Sequence, residues 1–139
     1  MKARRVEGLE PDAPLRPNAA RVVRTRLDEL RGFAAEALAA DAAETQHDMR
    51  IAAKRLRYVL EICGPCIGEE ARSARKAAKQ LQSVLGDLHD CDLMLQKLAG
   101  AESLCAALRA RRERHFHRFV ELWQAEASQG TWAALERCL

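Results

Sequence analysis

His47, Arg50, Lys54 and Arg57 stand at i, i+3, i+7 and i+10 within the run HDMRIAAKRLRY. At about 100° per residue they fall in one narrow arc of a helix, while Met49, Ala52, Ala53, Leu56, Val59, Leu60 and Cys63 take the opposing arc. One side packs and the other is a ladder of cations suited to a repeating anion. Arginine grips two oxygens with a planar fork and lysine supplies a mobile point charge, so a mixture fits a polymer of variable register. Further along, Arg72, Lys76, Lys79, Ser83, Gly86, Asp90 and Lys97 line up opposite an apolar stripe, giving a second cationic row broken by one acid. Arg111, Arg114 and Arg118 flank a third apolar face, and Arg24 lies off a fourth. The plain alternative for each row is a solvated helix face with no ligand.

Other chemistries are weaker. The string CGPC at Cys63 to Cys66 matches the dithiol motif of thioredoxin-like proteins, in which the first thiol opens a helix whose dipole lowers its pKa. Here Cys63 continues an apolar stripe and Gly64-Pro65 reads as a helix stop, so the dipole opposes a thiolate. A zinc site from Cys63, Cys66, His89 and Cys91 would need one helix to aim residues two apart at one ion, and buried reduced thiols are the simpler reading. No phosphate-binding glycine loop, GxSxG elbow or HExxH pair occurs. We therefore expect no catalytic residues, no metal and no cofactor.

These side chains require helices to hold them. Residues 1 to 16 combine charge, Gly8, Pro11 and Pro14 without apolar periodicity and read as a mobile leader; the domain is expected over 17–139. Helix one is predicted from Asn18 to about Ala39 on the stripe Val23, Leu27, Leu30, Ala34, Ala37 and Leu38. Helix two runs from an N-cap at Thr45 to Cys63, ended by Gly64 and Pro65. Helix three extends from about Glu69 to Leu98 on Ala74, Ala77, Ala78, Leu81, Val84, Leu85, Leu88 and Leu95. Helix four spans Glu102 to Ala127 and buries Leu104, Leu108, Phe116, Phe119, Leu122 and Trp123. A short turn from Thr131 to Cys138 caps the assembly with Trp132 and Leu135. Short connections between long amphipathic helices favour an all-α, antiparallel four-helix bundle with a short C-terminal extra helix.

Composition agrees. A chain of 139 residues with 48% hydrophobic and only 4% aromatic content fits one helical domain with its own core. The net charge of +3 is modest, so attraction to polyanions must come from local clustering. No apolar run is long enough to span a membrane, and the leader lacks the core of a secretory signal, so a cytoplasmic location without membrane contact is expected. Five cysteines then read as reduced thiols.

The segments HDMRIAAKRLRYVLEICGPCIG and AAKQLQSVLGDLHDCDLMLQKL resemble the CHAD family, the conserved-histidine α-helical domains. The likeness lies in the His-x-x-Arg-x-x-x-Lys-Arg-Leu-Arg-Tyr run and the Lys-x-Leu-Gln-x-x-Leu-Gly-x-x-x-Asp run, over about residues 45 to 98. The resemblance implies an all-helical fold that binds inorganic polyphosphate through basic side chains, association with polyphosphate granules and their proteins, and no catalysis by the domain itself. Carried over by position, the implied binding residues are His47, Arg50, Lys54, Arg55, Arg57, Tyr58, Lys79 and Gln82, with Gly86 and Asp90 in the second motif. The stripes add Arg24, Lys76, Arg114 and Arg118. Arg55 lies off the main arc. Asp90 is expected to orient a neighbouring cation, since a carboxylate repels phosphate.

Family members usually contain two related four-helix halves around a shared basic channel, and this chain has material for one. A homodimer restoring the second wall, or an open half-site, follows from the resemblance. The rival readings are a nucleic-acid-binding helical protein, disfavoured by scarce aromatics and the lack of a helix-turn-helix or finger pattern, and a structural interaction module. A fourth is an accessory subunit of a phosphate-hydrolysing protein.

Overall fold

The computed structural model describes residues 1–139 and contains only helices: α1 (Leu15–Ala37), α2 (Ala43–Ile67), α3 (Glu69–Lys97), α4 (Glu102–Gln129) and α5 (Thr131–Arg137). Every connection between long helices is short. Successive helices run antiparallel: on α1 and α2, Glu36 meets Thr45 and Glu29 meets Arg55, so one number rises as the other falls. The same order holds for α3 and α4, where Asp92 meets Arg112 and Asp87 meets His115.

The centre of the bundle is α3, which packs against α2, α4 and α5, while α1 packs on α2. Val23, Leu27 and Leu30 from α1 join Met49, Leu56 and Leu60, then Leu81, Leu85 and Leu88, in one contiguous core. Phe119, Trp132 and Leu135 complete it. Most periodic positions of the first three helices are thus the buried ones, with Leu38, Val59, Cys63 and Leu95 only partly covered. Trp132 also stacks on Trp123 at 6.0 Å between ring centroids, which docks α5 on α4.

Local signals misplace several boundaries. Helix α1 begins at Leu15, so Pro17 sits in its first turn, where a missing N–H costs nothing. It ends at Ala37, two residues before the predicted Ala39. Helix α2 begins at Ala43, and Thr45 is not its cap: its hydroxyl donates to Glu36 Oε1 at 2.7 Å, fastening α2 to the last turn of α1. More significantly, α2 does not stop at Cys63 but continues through Gly64 and Pro65 to Ile67. Pro65 is exposed, so water can serve the carbonyl its missing N–H leaves free, while Gly64 and Ile67 are buried and extend the contact with α3. Packing overrides the breakers. The reversal falls to Gly68 alone, whose φ of +137° is closed to most side chains.

Helix α4 differs most from the periodic reading. Leu104, predicted to be buried, is 50% exposed, and Cys105 takes the inward position with its thiol donating to the Leu98 carbonyl. Leu108, Phe116, Leu122 and Trp123 are only half-buried. The reason is that α4 packs on α3 and α5 and does not run along α1, so its apolar stripe has fewer neighbours.

Two buried polar nodes fix the helices. Glu29, 2% exposed, accepts from Arg26 at 2.8 Å, from Arg55 at 3.3 Å and from the Arg4 backbone N–H at 2.9 Å. The leader, expected to be mobile, is therefore tied to α1 and also to α2, because Arg55 donates to the Met1 carbonyl. In the second node Arg112 of α4 donates to Asp92 on α3, to Gln46 Oε1 on α2 and to the Ala40 carbonyl between α1 and α2. Gln46, 1% exposed, turns its amide donors to the Ala37 and Ala39 carbonyls. Each buried charge here has partners, as burial requires.

Candidate anion-binding site

The cationic rows of α2 and α3 meet in a cleft of about 330 Å³. Arg50 and Arg57 enter from α2, and Lys79, Gln82 and Ser83 from α3, with Gly86, Asp87 and Asp90 completing the wall. No hydrophobic residue lines it. Antiparallel pairing creates this convergence: Arg50 lies at the level of Gly86, so Arg57, two turns on, is carried toward Lys79.

Gly86 has a specific role in the wall. A Cβ at this position would stand 3.2 Å from Arg50 Nε, so the bare glycine lets the guanidinium lie close across α3. Arg50 Nε, Arg57 Nε and Gln82 Oε1 are shielded from solvent without a hydrogen-bond partner. Arg57 also stacks 4.4 Å from the Tyr58 ring centroid and pairs with Glu61 at 3.3 Å, an i,i+4 pair whose carboxylate side is exposed to water. The cleft therefore presents guanidinium and amide atoms without hydrogen-bond partners, beside the two carboxylates of Asp87 and Asp90.

His47 stands one turn before Arg50, and its ring stacks on His89 of α3 at 3.9 Å with 20° between planes. Desolvation, followed by the neighbouring His89 and Arg50, pulls its pKa below the ordinary imidazole value of 6.5. Neutral at pH 7, His47 offers a hydrogen bond rather than a charge, and its Nδ1 is buried and unpartnered.

The remaining predicted positions are dispersed. Arg55 is turned the other way and spent on Glu29 and the Met1 carbonyl, so it is a structural arginine rather than part of the cleft. Lys54 is exposed with its ammonium 5.8 Å from the Tyr58 ring centroid, outside the cleft lining. Lys76 is exposed and also outside it. Arg24 lies in the field of Glu136 near α5. Arg118 lines a separate hollow between α3 and α4, and Arg114 is exposed on α4 without a partner in either. Periodicity places residues on a face, but it does not say which acids wait on the neighbouring helix. Glu29, Gln46, Asp92 and Arg112 went unread for the same reason.

The cysteines stay apart from this cleft. All five are free, and no group of three or more His, Cys, Asp or Glu side chains is placed to hold a metal ion. Burial and the neighbouring Cys66 push the Cys63 thiol up from its ordinary value, opposite to the activation a dithiol catalyst needs. Because α2 continues to Ile67, Cys66 lies within the helix, not beyond a break as the sequence predicted.

The family model of the CHAD domain matches residues 2–99, which hold the leader, α1, α2 and α3 with the whole α2–α3 cleft. The chain belongs to the CHAD family. No curated protein and no solved structure gives a match. CHAD domains are linked in general terms with polyphosphate, and the cleft assembled by Arg50, Arg57, Lys79 and Gln82 falls wholly inside the CHAD match. No helix is long and apolar enough to cross a membrane.

Proposed function

We propose that this CHAD protein binds inorganic polyphosphate in the α2–α3 cleft and performs no chemistry on it. The observation that carries the reading is the convergence of Arg50, Arg57 and Lys79 with the Gln82 amide in one cleft lined by no hydrophobic residue. Anionic phosphate oxygens would accept from the two guanidinium forks, with Arg50 and Arg57 about 10.5 Å apart along α2. His47 and Tyr58 would add hydrogen bonds at the rim. Asp90 would orient the adjacent cations rather than touch the ligand. The reading carries association with polyphosphate granules and their proteins, and a homodimer that brings two basic faces around one polymer.

The test is titration of the purified protein with long-chain polyphosphate, tripolyphosphate and duplex DNA at one stated salt concentration. We expect long-chain polyphosphate to bind most tightly and to remain unhydrolysed. Equal or tighter binding of DNA would replace this reading with the nucleic-acid one. Sedimentation with and without the polymer checks the dimer: polymer-strengthened association supports it, and a monomer in both conditions removes it.

A further inference from the structure

Helix α3 is flanked by clefts on both sides, and they share its residues. The α2–α3 cleft has Ser83, Asp87 and Asp90 on its wall. Across α3, Ser83 and Asp87 also line a hollow of about 190 Å³ with Arg118, and Asp87 and Asp90 line another of about 190 Å³ with Arg111 and His115. Asp87 is common to all three. Arg111, His115 and Arg118 stand at i, i+4 and i+7, so they form one row on α4. Arg111 and Arg118 have no ion-pair partner; the acids beside this row are Asp87, 3.8 Å from His115 Nδ1, and Asp90. The arrangement repeats that of α2, where Arg50 and Arg57 are likewise seven residues apart, about 10.5 Å along the axis.

We infer that Arg111 and Arg118 form a second anion-binding bank, so that a condensed phosphate chain crosses α3 over Ser83 and Asp87 and is held from both α2 and α4. This rests on the proposed function and sharpens it into a length preference. A short phosphate oligomer occupies the α2–α3 cleft alone, whereas a long chain engages both banks and gains by linkage of two sites. Asp87 separates the banks: its carboxylate repels phosphate at the crossing and keeps the two seats distinct for short anions. The α4 bank lies outside the matched residues 2–99.

The experiment compares Arg111→Gln/Arg118→Gln, Arg50→Gln/Arg57→Gln and a charge-matched control, Arg5→Gln/Arg109→Gln, each checked for a native helical spectrum. Affinity for long-chain polyphosphate and for tripolyphosphate is measured against salt. The α4 variant is expected to lose about tenfold or more in long-chain affinity, with a salt slope shallower by about one to two, while tripolyphosphate binding is unchanged. The α2 variant loses both ligands, and the control loses neither. If the α4 variant binds long chains as the unsubstituted protein does while the α2 variant does not, the second bank is overturned and the proposed function stands. If the unsubstituted protein binds no polyphosphate, both fall. Asp87→Asn supplies a separate readout: long-chain affinity should rise, and a fall would overturn the role given to the crossing.

Discussion

Arg55 and Arg57 stand two residues apart on α2 and do opposite work. Arg55 faces α1, where Glu29 and the Met1 carbonyl absorb its hydrogen bonds; Arg57 faces α3, where its Nε has no partner and its one acid, Glu61, is open to water. Arg112 resembles Arg55: its donors are taken up by Asp92, Gln46 and Ala40. Arg50 resembles Arg57. What the adjacent helix offers an arginine therefore decides how many of its donors are taken up within the fold. Where a buried acid waits, the cation is a fastener; where the neighbour presents Gly86, Gln82 and Lys79 beside the more exposed Asp87 and Asp90, the guanidinium keeps an Nε without a partner.

The largest effect that would break this comparison lies at the fastener. Glu29→Ala strands Arg26 and Arg55 without their shared carboxylate and is expected to cost about 3–5 kcal/mol in urea unfolding. The folded variant should still bind polyphosphate as before. A loss of affinity in molecules that remain folded would mean that the two arginine classes are not separate.

A smaller and two-signed effect sharpens the other side. Gly86→Ala improves helix propensity by about 0.5–1 kcal/mol but pushes a Cβ to 3.2 Å from Arg50 Nε. Thermal unfolding should show a modest gain while polyphosphate affinity falls. A gain in stability with undiminished affinity would show that Arg50 need not lie close across α3.

The smallest effect is in pH. His47 has a folded pKa below 6.5, so as pH falls the unfolded chain takes up its proton first. The stability from a neutral His47, which faces His89, Arg50 and Asp48, is present above 6.5 and is lost as pH falls through that value toward the folded pKa. Urea midpoints at pH 7.5 and 5.5 should reveal this loss, and His47→Gln should reduce it. An equal loss in the variant would assign it to other groups.

The helical class and the cores of α1, α2 and α3 were legible because a 3.6-residue apolar period survives in each. Arg50, Arg57 and Lys79 are legible because both motifs and stripes mark them, Gln82 because the second motif does, and antiparallel pairing brings the four into one cleft. The end of α2 was not: Gly64 and Pro65 are strong local breakers, and only the burial of Gly64 and Ile67 against α3 explains their passage into the helix. The inward side of α4 was misread at Leu104 because a helix with few neighbours buries a narrower stripe than its sequence offers. Arg55 stands among the binding residues only through the motif that carries the resemblance; it lies off the main arc, and the acid partner that claims it is 26 residues away in the chain, beyond the reach of any periodic pattern.

The central claim is that Arg50 and Arg57 are ligand arginines, and the most direct measurement is long-chain polyphosphate affinity of Arg50→Ala/Arg57→Ala, with its helical spectrum and unfolding midpoint recorded alongside. Each lost charge-assisted contact is worth roughly 1.5–3 kcal/mol, so the pair should lower affinity by about a hundredfold or more while leaving fold and stability nearly unchanged. Undiminished affinity in a natively folded double variant would contradict the account.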